Sequence, residues 1–163
     1  MRGRIVTFTH PIMINQPIKI VIVDDHEIIR QGLVNLLHDE PALAILGQAS
    51  DGQEAISLIQ TTHPDVVLLD IKMEGMNGLE AIPHILAAKP DTKIIMLTMY
   101  GEDNFFFTAL GAGAVGYFLK GSDSQELVHA IQTVHAGHIY LSPKLAQSLI
   151  QAYQKQQNLP HIP

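Results

Sequence analysis

A fivefold alternation of two kinds of segment constrains the fold of this chain more than any other feature. Short runs rich in β-branched and other apolar residues predict five buried strands: Ile18–Val23, Ala44–Ala49, Val66–Asp70, Ile94–Thr98 and Gly116–Lys120. After each run, apolar residues recur near the 3.6-residue period of a helix: Glu27–His38, 52–60, Leu79–Ala88, Asp103–Ala112 and Gln125–Ala136. This alternation is typical of an α/β fold, a doubly wound five-stranded parallel sheet with helices on both faces. Because both faces of such a sheet are covered, its strands are continuously apolar.

Two segments lie outside this alternation. Residues 1–16 are expected to form an N-terminal tail without an assigned role, residues 17–136 the α/β domain, and residues 137–163 a linker with a short helix over Lys144–Gln154. The tail resembles a signal peptide only superficially, since His10-Pro11 interrupts its apolar run and no small-residue cleavage site follows. We therefore do not expect export.

Composition excludes several classes of function. The chain has no cysteine, which excludes disulfide scaffolds, thiol catalysis and cysteine-based zinc sites and favours a reducing, cytoplasmic compartment. No stretch approaches about 18 uninterrupted apolar residues, so no membrane contact is expected. The net charge of −6 argues against direct DNA binding by this polypeptide.

Ionisable residues follow several of the predicted strands at the same end. Asp24 and Asp25 follow the first strand, Asp70 ends the third, and Lys120 ends the fifth. Sites in parallel α/β sheets form beyond the carboxyl ends of the strands, which lie about 4.8 Å apart. Three carboxylates against one ammonium leave a formal charge of −2, which a divalent cation cancels. Carboxylate ligands without cysteine favour Mg²⁺ or Mn²⁺.

Such a site suits phosphoryl transfer to a carboxylate. Asp70 is the candidate nucleophile, forming an aspartyl phosphate, with the metal and Lys120 neutralising the transferred oxygens. Thr98, which ends the fourth strand, can donate a hydrogen bond to the phosphoryl group and pull its loop inward. Tyr117, three residues before Lys120, is the candidate to follow into the vacated space. Each residue alone also fits a structural role, such as helix capping or β propensity, but their shared position favours a site.

These residues lie in motifs that resemble the receiver domain of bacterial two-component response regulators over Ile18 to Ala136. The motifs are I-V-I-V-D-D-H, V-V-L-L-D-I-K-M-E-G-M-N-G-L-E, I-I-M-L-T-M-Y and G-A-V-G-Y-F-L-K. The resemblance implies the flavodoxin-like strand order 2-1-3-4-5 and a phosphoryl group received from a histidine kinase. It also implies the following roles: Asp70 as phospho-acceptor, Asp24 and Asp25 as the acidic metal pair, the backbone carbonyl of Lys72 as a further metal ligand, and Thr98, Lys120 and Tyr117 as the switch and phosphate-binding residues.

The segment E-L-V-H-A-I-Q-T-V-H-A-G-H-I-Y-L-S-P-K-L-A resembles the NarL/FixJ branch of that family. This implies a LuxR-type helix-turn-helix domain that is absent from the chain, DNA contact only through that domain, and homodimerisation on phosphorylation. The sequence departs from the branch at Glu74, where a proline is usual, which adds a negative charge near the metal site. The bulk of Lys72 and Tyr100, which flank the water path in the family, predicts a long-lived phosphoryl group.

Two alternatives remain open. One is a receiver-only phosphorelay module or a pseudo-receiver used for docking. The other is a haloacid-dehalogenase-like phosphohydrolase, which requires a second carboxylate two residues after the nucleophile, where this chain has Lys72. In the favoured interpretation the protein is no enzyme on a separate substrate and catalyses only its own phosphorylation and dephosphorylation.

Two further patterns are given structural interpretations. His129 and His135 on the fifth helix, and His138 after it, are expected to be exposed or interface residues rather than metal ligands. Of Phe105, Phe106 and Phe107, at least one is expected to be exposed, because three consecutive helical residues cannot share one buried face.

Overall fold

The computed structural model describes residues 16–99 and 103–157. Residues 1–15 of the expected tail, Tyr100, and residues 158–163 of the expected linker lie outside the described residues. The predictions made for those residues are therefore not addressed by the structure.

Strands and helices alternate as the sequence predicts. The strands are β1 (Ile18–Val23), β2 (Leu43–Ala49), β3 (Val66–Asp70), β4 (Lys93–Thr98), β5 (Gly116–Leu119) and β6 (Tyr140–Leu141). The helices are α1 (Glu27–Leu37), α2 (Gly52–Thr62), α3 (Gly78–Ala88), α4 (Phe106–Ala112), α5 (Ser124–His135) and α6 (Pro143–Gln157). A 3₁₀ turn over Asp103–Phe105 precedes α4, so the predicted fourth helix is α-helical only from Phe106.

The sheet is parallel and has the order β2-β1-β3-β4-β5-β6. The predicted fold class and the order 2-1-3-4-5 are confirmed, but the predicted count of five strands is wrong. In β6, Tyr140 pairs with Gly116 and Leu141 pairs with Tyr117. Two residues are too few to produce a recognisable strand pattern, which is why the sequence did not reveal β6.

Alternate residues of each strand enter two separate cores. On one face, Ile20 and Ile22 of β1 pack in a cluster with residues of α1 and α5. On the other face, Val21 and Val23 pack in a cluster with residues of α2, α3 and α4. All four side chains are fully buried, which explains the continuous apolar character of the strand. Among the described residues, no helix is long and apolar enough to cross a membrane.

Side-chain caps fix the starts of α3 and α5 at the carboxyl edge of the sheet. Asn77 and Glu80 form a reciprocal capping box at the start of α3, just after the loop that follows Asp70. Asp123 caps α5 by accepting a hydrogen bond from the backbone N–H of Glu126. Asp123 provides the carboxylate at the residue directly before the helix, so it takes the position.

Candidate functional site

Three carboxylates meet at the carboxyl edge of the sheet. Asp24 and Asp25 follow β1, and Asp70 ends the neighbouring strand β3, in which Leu69 pairs with Val23. Asp24 is fully buried, Asp70 is 4% exposed, and Asp25 is partly buried. One ligand atom from each, together with a ring nitrogen of His26, lie within 4.8 Å of one another. The structure therefore brings together the acidic residues that the sequence placed at this edge.

Lys120 joins two of these carboxylates. Its Nζ lies 2.8 Å from Asp24 Oδ2 and donates a hydrogen bond of 2.8 Å to Asp70 Oδ1. Its backbone N–H donates to the carbonyl oxygen of Thr98 at 2.7 Å, which ties the end of β5 to the end of β4. One ammonium against three carboxylates leaves the cluster negative.

Burial and the neighbouring charges shift the pKa values of Asp70 and Lys120. Burial raises the pKa of the Asp70 carboxyl from its usual 3.8 to about 6. Lys120 opposes that rise, while the charges of Asp24 and Asp25 add to it. Burial alone lowers the pKa of the Lys120 ammonium, but its bonds and charge interactions with Asp24 and Asp70 outweigh burial and hold that pKa above the usual value. The cluster is thus short of positive charge at neutral pH.

The residues present fit a divalent cation. Asp70 Oδ2 is buried and has no hydrogen-bond partner among the described residues. A buried carboxylate oxygen in this state is costly unless an ion or a water binds it. Carboxylate oxygens are also the ligands that Mg²⁺ and Mn²⁺ prefer. The cluster can therefore hold such an ion.

Thr98, Tyr117 and Lys72, the other residues expected at the site, differ in their burial. Thr98 ends β4 and is fully buried, and its Oγ1 donates to the carbonyl oxygen of Met99 at 3.2 Å. The ring of Tyr117 is buried, with its centroid 5.4 Å from that of Phe106 in an edge-to-face contact. Lys72 lies in the loop after β3 with an exposed side chain, and its Nζ is 5.9 Å from the ring centroid of Phe105. The roles assigned to these residues, including the carbonyl of Lys72 as a ligand, stay predictions.

Two basic residues hold the acidic pair from the side of α1. His26 donates its backbone N–H to Asp24 Oδ1 at 2.9 Å, and its Nδ1 lies 3.0 Å from Asp25 Oδ1. Arg30 Nη1 donates to the carbonyl oxygen of Asp24 at 2.6 Å, and its Nε donates to Gln48. The sequence patterns assigned no role to His26 or to Arg30. Arg30 could have been recognised from its position one helical turn after His26, which places both residues on the side of α1 that faces the acidic pair.

Gly78 is a third residue whose importance the sequence did not show. It begins α3, and its backbone N–H donates to the carbonyl oxygen of Ile71 at 2.8 Å. A Cβ at this position would overlap the carbonyl oxygen of Asp70. Only glycine therefore allows α3 to approach the end of β3 this closely.

Other candidates lie apart from the cluster. Glu74, the unusual acidic residue of the loop, is exposed and does not belong to the group of ligand atoms around Asp70. His129, His135 and His138 are exposed, as expected, and also stand outside that group. Phe107 is 66% exposed while Phe105 and Phe106 are partly buried, which confirms the interpretation of the phenylalanine run.

Comparison with known proteins gives one family. Residues 20–132 match the response regulator receiver domain. The chain is 42% identical over 142 residues to response regulator GacA of Pseudomonas aeruginosa, covering 86% of this chain and 66% of GacA. It is 40% identical over 132 residues to response regulator UvrY of Escherichia coli, covering 81% of this chain and 61% of UvrY. It thus spans slightly less than two thirds of the length of these relatives.

Solved structures agree with this result. A LuxR-family two-component response regulator from Aurantimonas is similar with a TM-score of 0.79 and 37% identity, covering 85% of this chain and 99% of that chain. The signal receiver domain of the putative response regulator NarL from Mycobacterium tuberculosis is similar with a TM-score of 0.71 and 32% identity, covering 76% of this chain and 99% of that chain.

Proposed function

The chain belongs to the response regulator receiver domain family, and from that premise we propose that its Asp70 accepts a phosphoryl group from a histidine kinase. The observation that carries this proposal is the contact of Lys120 Nζ with Asp70 Oδ1, beside a buried Asp70 Oδ2 that has no hydrogen-bond partner among the described residues. One oxygen of the carboxylate is thus held by an ammonium while the other remains available. This arrangement suits a nucleophile better than a structural ion pair.

The transfer is a displacement at phosphorus. A carboxylate oxygen of Asp70 attacks, and a P–O bond forms as the P–N bond to the phosphorylated histidine of the kinase breaks. The electron pair of the broken bond stays on the imidazole nitrogen, which takes up a proton from water. Lys120 remains bonded to the other oxygen of the Asp70 carboxylate, Oδ1, and neutralises charge on the transferred group.

Asp24, Asp25, Asp70 and the backbone carbonyl of Lys72 are the proposed metal ligands. Bound Mg²⁺ or Mn²⁺ supplies the positive charge that offsets the carboxylates and the phosphoryl oxygens. The chain's own contribution is orientation, because His26 and Arg30 hold Asp24 from both its side chain and its carbonyl. Asp24 is held at both oxygens, Oδ1 by the backbone N–H of His26 and Oδ2 by the ion pair with Lys120.

Phosphorylation adds about −1.5 to −2 charge at this edge. We propose that Thr98 then donates to the phosphoryl group and that Tyr117 follows the displaced end of β4, which changes the α4–β5 face. Homodimerisation and transcriptional output through a DNA-binding domain beyond this chain are the proposed consequences, in the cytoplasm. The relatives GacA and UvrY are longer than the part of them that this chain covers, which leaves room in them for a further domain. The proposed receiver unit comprises residues 17–136, and the proposed linker comprises residues 137–163. The strand β6, which pairs with β5, lies within the linker.

The alternatives receive less support. An Asp-nucleophile phosphohydrolase needs a carboxylate at position 72, but Lys72 stands there with its amine directed over the ring of Phe105. A receiver-only phosphorelay module uses the same site and differs only in its output. The complete acidic set disfavours a pseudo-receiver.

The test is incubation of the purified protein with Mg²⁺ and acetyl phosphate, followed by intact-mass measurement. We expect a gain of one phosphoryl group in the native chain and none in the Asp70→Asn variant. Asp91→Asn, at an exposed carboxylate, is the matched control and should be labelled like the native chain. Equal labelling of Asp70→Asn refutes the assignment. Release of phosphate without a labelled protein favours the hydrolase.

A further inference from the structure

The imidazole of His26 lies against the acidic cluster and does not cap the helix that it precedes. His26 stands directly before α1, where a side-chain oxygen usually caps the first turn, but its side chain makes no capping hydrogen bond. Its Nδ1 lies 3.0 Å from Asp25 Oδ1 and 3.3 Å from Asp24 Oδ1. Its backbone N–H donates to Asp24 Oδ1 at 2.9 Å, which fixes the residue beside that carboxylate. The ring is thus directed at the proposed metal site.

The separations in this group suit atoms that bind one ion. With metal–ligand distances of about 2.1 Å in an octahedral complex, neighbouring ligand atoms are roughly 3.0 Å apart and opposite ones roughly 4.2 Å apart. The distances from His26 Nδ1 to the two carboxylate oxygens are 3.0 and 3.3 Å. The ligand atoms of Asp24, Asp25, His26 and Asp70 all lie within 4.8 Å of one another. A single ion can therefore reach the imidazole as well as the carboxylates.

The neighbouring Asp70 carboxylate gives an independent reason to expect an ion here. Its side chain is 5% exposed, and its buried Oδ2 has no hydrogen-bond partner among the described residues. Such an oxygen is costly to bury unless an ion or a water binds it. The side chain of His26, in contrast, is 63% exposed. Its ring can therefore adjust from contact with the carboxylates to contact with an ion without repacking the core.

We propose that His26 Nδ1 is a ligand of the bound ion and gives this site a preference for divalent first-row transition ions over Mg²⁺. This inference rests on the proposed function, because the ion is the one that serves Asp70. Carboxylate oxygens suit Mg²⁺, whereas an imidazole nitrogen suits ions such as Ni²⁺. If His26 were only an ion-pair partner of Asp24 and Asp25, an incoming ion would have to displace it. Removing the imidazole would then leave the affinity for every ion unchanged or higher.

The first measurement identifies the ligand in the native chain, prepared without an affinity tag and loaded with one Mn²⁺ ion. Electron spin-echo envelope modulation should show the coupling of a bound imidazole nitrogen, and labelling with [¹⁵N]histidine should change its frequency. His26→Ala should lose this coupling, whereas His135→Ala, at an exposed residue in the last turn of α5, should keep it. A native chain that binds Mn²⁺ without histidine coupling overturns the inference, and this result does not depend on any variant folding.

The second measurement compares affinities. The EPR signal of free Mn²⁺ gives its binding, and release of Mn²⁺ by Ni²⁺ or Mg²⁺ gives theirs. Loss of a ligand should weaken Ni²⁺ binding by His26→Ala about tenfold or more, because even residues that only orient a ligand have effects of this size. The affinity for Mg²⁺ should stay within about threefold of the native value. His135→Ala is the matched control and should change neither affinity.

The remaining outcomes separate the possible failures. Equal losses for Ni²⁺ and Mg²⁺ in His26→Ala would show a structural role, and unchanged or tighter binding of both would show an ion-pair partner only; either result refutes ligation by His26. If the native chain binds Mn²⁺ but the histidine coupling is absent, this inference fails while the proposed phosphorylation of Asp70 stands. If the native chain binds none of the three ions, the metal-dependent function fails together with the inference.

Discussion

Replacing Asp70 by asparagine should stabilise the metal-free protein at neutral pH. The asparagine side chain is a neutral near-isostere of the protonated carboxyl. The folded pKa of Asp70, about 6, lies above its usual value of 3.8. The folded state therefore binds the proton more tightly than the unfolded state, and the free energy of unfolding of the native chain falls as pH rises from about 4 to about 6.

The size of the effect follows from that difference. At 1.36 kcal/mol per pH unit, a rise from 3.8 to about 6 corresponds to roughly 3 kcal/mol. The variant lacks this titration, so its advantage should be near zero below pH 4 and reach about 3 kcal/mol above pH 7. Added Mg²⁺ should reduce the stability advantage of the variant. An ion that binds only the folded state stabilises that state, and the native chain, which keeps the Asp70 carboxylate, should bind the ion more tightly than the variant.

The assay is urea unfolding of both proteins between pH 4 and pH 8 in the presence of a chelator. Asp91→Asn serves as a control in which the effect has the opposite sign. The ion pair with Lys89 lowers the pKa of the exposed Asp91 below its usual value of 3.8. Removing the Asp91 carboxylate should therefore lower the stability of the protein above about pH 4 and should not raise it. An Asp70→Asn variant that is no more stable than the native chain at pH 7.5, or whose advantage persists below pH 4, would show that burial and the neighbouring carboxylates do not raise the pKa of Asp70.

Three other substitutions test the remaining contacts. Lys120→Gln leaves the buried carboxylates without their ammonium and should cost about 3–5 kcal/mol at pH 7 by urea unfolding, with part of the loss recovered at pH 5. Gly78→Ala places a methyl group against the carbonyl oxygen of Asp70, so it should lower the free energy of unfolding by about 1–3 kcal/mol and slow labelling by acetyl phosphate. Gly111→Ala is the control, because a Cβ there meets open space, and it should neither destabilise the protein nor slow labelling. Asp123→Ala removes the cap of α5 and should lower stability by about 1 kcal/mol in thermal unfolding, and no loss would mean that another residue caps the helix.

The convergence of Asp24, Asp70 and Lys120 could be predicted from the sequence because the rule that produces it is local. Each residue stands at the end of an apolar run, and the ends of parallel strands meet at one edge of the sheet. Once the five strands are recognised, the cluster follows without knowledge of any side-chain position. The distances of 2.8 Å from Lys120 to the two carboxylates agree with that reasoning.

The features that the sequence missed depend on long-range geometry or on close local competition. A side chain at position 78 would overlap the carbonyl oxygen of Asp70, and Arg30 donates a hydrogen bond to the carbonyl oxygen of Asp24. Neither contact leaves a trace in the hydrophobic periodicity of the sequence. Asp123 and Ser124 are adjacent residues that can both cap a helix, so only the backbone conformation decides between them.

The two residues of β6 also protect the edge of the sheet. The carbonyl oxygens of Val115 and Tyr117 accept hydrogen bonds from Tyr140 and Ser142, and without β6 they would face water on an open strand. Unpaired strand edges act as templates for pairing with other chains. A shorter polypeptide ending at residue 136 would keep the residues of the acidic cluster but leave these carbonyl oxygens of β5 open to pairing with another chain, so β6 covers this edge although it contributes no residue to the cluster.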